Sequence, residues 1–317
     1  MKYLSSSDFA IKWNVSERSV RNYCAEGKIP GAVLEGKIWK IPDNSQKPVR
    51  KKRSGKIPAD LLSRLKFEKE SGLKGGIYHK IQIELTYNSN HMEGSMLSHD
   101  QTRYIFETNT IGLKSESINV DDIVETANHF RCIDLIIDMA NYPLSESFIK
   151  QLHMALKSGT SDSRKPWFAV GEYKRLENEV GGNATASPEN VSDEIRQLLK
   201  KYNQKKEKTL EEIIDFHYQF EKIHPFQDGN GRIGRLIIFK ECLRNGITPF
   251  IIEDDLKEFY YRGLQQWKNE PGYLLDTCLT AQDRFTEYLR YFASEIHRIS
   301  TGHKMMPGSH SSVYKQT

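Results

Sequence analysis

The stretch His224-Pro225-Phe226-Gln227-Asp228-Gly229-Asn230-Gly231-Arg232-Ile233-Gly234-Arg235 gathers an imidazole, a carboxylate, glycines and two guanidinium groups into a dozen residues. Gly229 and Gly231 let the backbone turn so that successive N–H groups point inward as an anion nest. A helix starting near Gly231 adds unpaired N–H groups and the positive end of its dipole. The Asn230 amide can donate to the same oxygens. Arg232 and Arg235, three apart on one helix face, can both reach a polyphosphate. This is a phosphate cradle but not a P-loop, since no Gly-Lys-Ser/Thr follows. Asp228 offers a hard oxygen beside it, and one carboxylate plus substrate phosphates is the usual way a protein holds Mg²⁺. His224 stands four residues ahead of Asp228. An imidazole that stays neutral near pH 7 is suited to take a proton from an alcohol. Together these groups describe transfer of a phosphorus group to a hydroxyl. Phe226 is expected to turn away and anchor the loop in the core.

These residues need a helix entering the loop and another leaving it. Leu210, Ile213, Ile214 and His217 follow the 3.6-residue spacing of one buried face, which predicts a helix over 210–223. The same rhythm predicts helices over 59–71, 78–93, 120–141, 145–157, 192–202, 231–245, 256–269 and 274–299. One segment breaks it. Gly171 to Asn183, with Tyr173, Leu176, Val180 and a Gly181-Gly182 pair, reads as a short hairpin. His153 and His217 fall inside helices and read as core or surface histidines. Cys242 reads as core.

The loop resembles the Fic (Fido) signature, His-x-Phe-x-Asp/Glu-Gly-Asn-Gly-Arg-x-x-Arg, at every fixed position. That resemblance implies a mainly α fold, an all-helical Fic core with a β-hairpin flap. It implies an adenylyltransferase that moves AMP from Mg-ATP onto a Ser, Thr or Tyr hydroxyl of a target protein, itself included, releasing pyrophosphate. His224 would then be the base and Asp228 the Mg²⁺ ligand. Gly229, Asn230, Gly231 and Arg232 would hold phosphates, and Arg235 the γ-phosphate. The hairpin with Val180 lies where the family's flap clamps a target peptide as an added strand. Tyr260-Tyr261 resemble aromatics lining the adenine pocket. Adjacent helical residues point about 100° apart, so Tyr260 is assigned to the core and Tyr261 to the nucleotide.

Ser89-Asn90-His91-Met92-Glu93-Gly94 matches the family's inhibitory motif, Ser/Thr-x-x-x-Glu-Gly/Asn, and precedes the core as in the class with an N-terminal inhibitory helix. The implied inhibitory residues are Ser89, Glu93 and Gly94. A carboxylate set against Arg235 occupies the charge that should receive the γ-phosphate. Ser95 follows where many relatives have Asn. Alternatives within the fold are a different nucleotide or mainly removal of AMP. Outside it stands a DNA-binding regulator with a nucleotide-sensing body.

The charge is uneven. Residues 1–56 hold thirteen Lys/Arg against five Asp/Glu, the remainder thirty-three against thirty-seven, for +4 over 317 residues. Such a basic head suggests a polyanion, nucleic acid first. Ser5 to Lys12 and Glu17 to Glu26 read as two short helices about a turn, the second capped by Ser16, ended by Gly27 and exposing Arg18, Arg21 and Asn22. Ala32 to Ile41 reads as two strands about a Glu-Gly turn. This stretch resembles the winged helix-turn-helix of the MerR and excisionase group and implies contact with DNA through Arg18, Arg21 and Asn22. The expected organisation is a winged helix-turn-helix over 1–43, a basic linker over 44–57, N-terminal helices over 58–115, the Fic domain over 116–300 and a flexible tail over 301–317.

Apolar residues make up 38% and charged residues 28% of the chain, as in a globular protein. No apolar run approaches the about 18 residues of a membrane span, so no membrane partner is expected. Cys24, Cys132, Cys242 and Cys278 are widely spaced with no CxxC pair, which indicates neither a zinc finger nor a disulfide framework and fits a reducing cytoplasm. The start lacks a secretory signal. The expected cofactors are ATP and Mg²⁺. The expected partners are a protein hydroxyl, DNA through the head, and a second copy of the chain.

Overall fold

The computed structural model describes residues 3–13, 15, 17–25, 27–36, 38–48, 60–112 and 117–300, except for the side chains at 18, 19, 22, 183 and 293–300. The chain divides into two compact units, Met1–Lys56 and Ile57–Thr317.

In the first unit, strand β1 (Tyr3–Ser5) leads into helices α1 (Ser6–Trp13) and α2 (Glu17–Ala25), then strands β2 (Val33–Glu35) and β3 (Ile38–Pro42). Ser5 and Asp8 cap α1 reciprocally: the Ser5 hydroxyl accepts from the Asp8 N–H at 3.2 Å, and the Asp8 carboxylate accepts from the Ser5 N–H at 2.9 Å. The sheet is antiparallel in the order β1-β3-β2, with Leu4 opposite Ile41 and Leu34 opposite Trp39. Three residues are too few for alternation to show, so β1 could not be read from the sequence. Phe9 and Trp13 of α1 and Val20 and Cys24 of α2 cluster with Ile29 and with Ile41 of β3. Ser16, expected to cap α2, lies outside the described residues, as do 49–57 of the expected linker and the tail at 301–317.

The second unit is mainly α. It contains α3 (Leu61–Ser71), α4 (Ile77–Met92), α5 (His99–Thr108), α6 (Val120–Asp138) and α7 (Glu146–Lys157). A hairpin of β4 (Glu179–Val180) and β5 (Asn183–Ala184) follows, then α8 (Pro188–Asn203), α9 (Leu210–Ile223), α10 (Asn230–Arg244), α11 (Lys257–Gln266) and α12 (Gly272–Ser300). Helix α5 was not expected, because its buried face is only Thr102 and Ile105; the signal it carries is the Ser98–Gln101 capping box. α8 starts four residues earlier than its apolar rhythm, with Pro188 in its first turn.

α10 is the hub. It is buried nearly all round, its charged Arg232, Arg235, Lys240 and Glu241 included, and packs against α4, α6, α7 and α9. Its Ile233, Leu236 and Ile237 join Ile133, Ile136 and Ile137 of α6 and Phe216 and Phe220 of α9 in one cluster. Each such side chain contributes roughly 1.5–3 kcal/mol by burial, so the helix that starts at the candidate loop is held from all directions. α9, which delivers His224, is capped by the Thr209–Glu212 box. Thr209→Ala is expected to lower unfolding free energy by about 1 kcal/mol, read as a shifted urea midpoint at unchanged slope. Glu68 of α3 is fully buried and accepts from the Tyr78 N–H at 2.8 Å, which caps the start of α4. A side chain at Gly76 would collide with that carboxylate.

Candidate functional site

α9 ends at His224 in a left-handed conformation, φ 52°, with its N–H donating to the Phe220 carbonyl at 2.9 Å;. A positive φ is uncommon outside glycine, and here it swings the imidazole off the helix end over the loop. Nδ1 lies 3.3 Å from the Glu221 carbonyl, which assigns the proton to Nδ1 and leaves Nε2 as the lone-pair nitrogen. No protein group among the described residues bonds Nε2. Burial pushes the imidazole down to about 4, opposed by the Glu221 carbonyl and helped by the nearby Lys174 ammonium. The His224 imidazole is therefore neutral at pH 7.

The loop is built around His153, a core histidine as expected, and Asn230, whose side chain departs from expectation. Phe226 is fully buried, as expected, and stacks on His153 at 4.0 Å between ring centroids. His153 accepts from the Gly171 N–H at 2.9 Å through Nδ1 and donates to the Asp228 carbonyl at 3.2 Å through Nε2, so it shapes the loop. Asn230 is 1% exposed. Its amide accepts from the Phe226 N–H and donates to the Phe226 carbonyl, both at 2.8 Å. That is a correction: the Asn230 side chain closes the loop on itself, and what it can offer an anion is its backbone N–H. Gly229 caps α10 with φ 85°, a conformation that favours glycine.

Asp228 stays 46% exposed at its side chain while Oδ2 meets Lys157 at 2.7 Å and Arg232 at 3.2 Å. Burial works to raise its carboxyl, but Arg232 and Lys157 outweigh it and hold it at about 2. Arg232 is almost fully buried and pairs also with Glu125. Glu125, Asp162 and Asp228 form a cluster with metal-ligand spacing, yet the Lys157 ammonium bonds all three. With Arg232 on Glu125 and Asp228 and Lys165 on Asp162, three cations offset the three carboxylates, and Asp228 is the most open of them.

Arg235 is buried and engages the last turn of α4. Its Nε donates to Ser89 Oγ at 2.9 Å, and its Nη2 to the Ser89 carbonyl at 2.9 Å and to Glu93 Oε1 at 2.7 Å. Burial works to lower the guanidinium, but Glu93, joined by Tyr260 and Tyr261, raises it above its ordinary value. A methyl group at Gly231 would collide with the Glu93 carboxylate, which rests on the bare Cα of that residue. The acid thus lies over the first turn of α10, where N–H groups are unpaired. Gly94, φ 94°, ends the helix just after it. The turn is fixed from outside by Tyr261 Oη on the Met92 carbonyl at 3.3 Å and by Asn90 on Thr126 at 3.2 Å. Tyr260 is core and bonds His217 at 2.5 Å, while Tyr261 is half-buried beside Glu93;.

The hairpin turns through Gly181 and Gly182, both with positive φ, the geometry of a tight hairpin turn. Its base is tied to the loop. The Lys174 N–H donates to the Pro225 carbonyl at 2.9 Å, Asn178 to the Phe226 carbonyl at 3.0 Å and the Leu176 N–H to Gln227 at 3.2 Å. Val180 is exposed. In the first unit Arg21 is exposed and paired with Glu17 at 2.6 Å; the side chains of Arg18 and Asn22 lie outside the described residues.

Sequence reasoning missed Glu125, His153, Lys157 and Glu221 as parts of this site. Only Glu221 stands near the signature, three residues before His224.

A helical body wrapped around such a loop is the architecture of a Fic domain, and residues 143–241 match the Fic/DOC family. Three relatives place the likeness. The protein adenylyltransferase Fic of Drosophila mojavensis is 27% identical over 187 residues, 56% of this chain and 35% of that protein. A Fic domain containing signaling protein from Bacteroides thetaiotaomicron is 29% identical, with TM-score 0.55 over 76% of this chain and 94% of that one. Fic-1 from C. elegans, 18% identical with TM-score 0.57 over 74% of this chain and 72% of that one, shares the fold. This chain spans about a third of the length of the curated relatives it matches, 35% for the first.

Proposed function

We propose that the protein is an autoinhibited adenylyltransferase that transfers AMP from Mg-ATP to Ser, Thr or Tyr hydroxyls of proteins, its own included. One observation carries the reading: a neutral imidazole with a free Nε2 stands over a glycine-lined helix N-terminus whose anion position is held by a carboxylate. His224 Nε2 takes the proton of the target hydroxyl. The hydroxyl oxygen bonds the α-phosphorus, the bond from that phosphorus to the bridging oxygen breaks, and pyrophosphate leaves. The N–H groups at the start of α10 hold phosphate oxygens, and Arg235, once free of Glu93, takes the γ-phosphate. The donor set fits Mg²⁺, an ionised carboxylate with one open side beside a phosphate cradle. When bound there, the ion would neutralise charge building on the phosphates. The exposed β4 edge at Val180 supports docking of an extended target segment. The charge excess of residues 1–56, in a unit that carries two short helices and a small sheet, supports a DNA-directed role for the first unit.

The test is intact mass after incubation with Mg-ATP, Mg-GTP or Mg-UTP. An AMP increment with ATP, in the Glu93→Gly variant above all, is the expected result. No increment with any nucleotide overturns the reading, and a larger GMP or UMP increment reassigns the base.

A further inference from the structure

Glu221 projects from α9 into the seam with α10. Its Oε2 lies 4.0 Å from His224 Nδ1, the face opposite the free Nε2, and its Oε1 lies 3.7 Å from His217 Nδ1. Oε1 and that nitrogen are both buried with no hydrogen-bond partner. A side chain at Gly234 would collide with both the carboxyl and the His217 ring, so the signature position between Arg232 and Arg235 is bare where Glu221 needs room. His217 Nε2 is bonded to the buried Tyr260 hydroxyl at 2.5 Å. A row of polar groups thus runs Tyr260, His217, Glu221, His224, with its open end at the base.

A buried carboxyl oxygen without a bonding partner costs stability and calls for an explanation in function. This one sits behind the nitrogen that becomes half of an imidazolium when His224 takes the proton. We propose that Glu221 is the positioning residue of His224, setting the ring's orientation and supplying the counter-charge to the imidazolium during transfer. The inference rests on the transfer reaction proposed above and adds to it a carboxyl outside the signature. The groups facing Glu221 are His217 on its own helix, His224 on the loop, Arg235 on α10, Glu93 on α4, and Tyr260 and Tyr261 on α11. Burial, opposed by Arg235 and reinforced by Glu93, pushes the carboxyl up to about 8. Below that pH it is a neutral acid. Above it the carboxylate faces Nδ1 and makes His224 the stronger base, so kcat should rise as pH passes through this range.

The experiment compares Glu93→Gly with Glu93→Gly/Glu221→Gln, the amide keeping the shape of the protonated acid. Initial rates of AMP incorporation from Mg-ATP are measured from pH 6 to 9. The expected result is a kcat deficit in the double variant that grows with pH to about tenfold at pH 8.5, with KM for ATP within twofold. A thermal melt confirms folding. Glu221→Gln should gain in stability over Glu221 as pH rises from 4.5 towards 8, because an acid whose folded pKa is raised loses stability over that interval. Superimposable profiles, or a pH-independent loss with raised KM, overturn the positioning role. Absence of transfer in Glu93→Gly itself overturns the function proposed above instead.

Discussion

Glu93→Gly is expected to raise AMP incorporation by about a hundredfold over wild type, measured with α-labelled ATP or by intact mass. The magnitude follows from what the carboxylate occupies. Glu93 Oε1 is 2.7 Å from Arg235 and rests on Gly231 at the start of α10, so one group covers the guanidinium and the first N–H groups that the phosphates need. A nucleotide that binds with the acid in place must set its γ-phosphate aside, and misplacement by about 1 Å costs on the order of 10² in rate. The variant carries a second signature. Arg235 keeps Ser89 Oγ and the Ser89 carbonyl but loses its counter-charge in a buried setting, which destabilises the nucleotide-free protein. Mg-ATP restores the missing anion. Its stabilisation of the variant should therefore exceed that of wild type, by about 2.7 kcal/mol at a hundred times Kd if wild type binds negligibly. Equal incorporation in the two proteins would remove Glu93 as the brake.

His224→Ala in the Glu93→Gly background is expected to cut incorporation by a factor of about 10²–10⁴, the range a positioned base contributes, with ATP binding retained. The imidazole's hydrogen bond is to the Glu221 carbonyl and not to the cradle, so the nucleotide keeps its N–H donors and Arg235. The same residue sets an acid limit. Because burial holds the imidazole down at about 4, the base is present throughout the physiological range, and its own loss should appear in kcat/KM as a limb near that value, separate from the step at Glu221 and well below the 6.5 of an ordinary histidine. An acid limb near 6.5, or undiminished transfer in the alanine variant, would assign the proton to another group.

The signature from His224 to Arg235 was legible because it is local. Within it α9 ends, the backbone turns at Gly229 and α10 begins. What surrounds it was not. Arg232 meets Glu125, and Asp228 meets Lys157, across 107 and 71 residues of sequence; no spacing rule reaches that far. Asn230 shows the other limit. Its amide suits a phosphate as well as a carbonyl, and only the path of the Phe226 backbone decides between them. Helices with long apolar stripes, such as α9, were read to the residue, whereas α5 buries too little to impose a rhythm. The motif around Glu93 was read by resemblance, and its contact with Arg235 came from helix packing that the sequence does not encode locally.

The bare Cα of Gly231 admits the carboxylate of Glu93, and by the reading above it also admits phosphate. Restraint and turnover therefore draw on a single seat, and they are unequally exposed to mutation. A substitution at the end of α4 can discard restraint and leave the machinery intact, whereas a side chain added at Gly231 would evict both occupants. Under selection for constant activity this lineage has a one-step exit through α4. Under selection for silence with activity held in reserve, it must guard residue 93 as closely as the histidine.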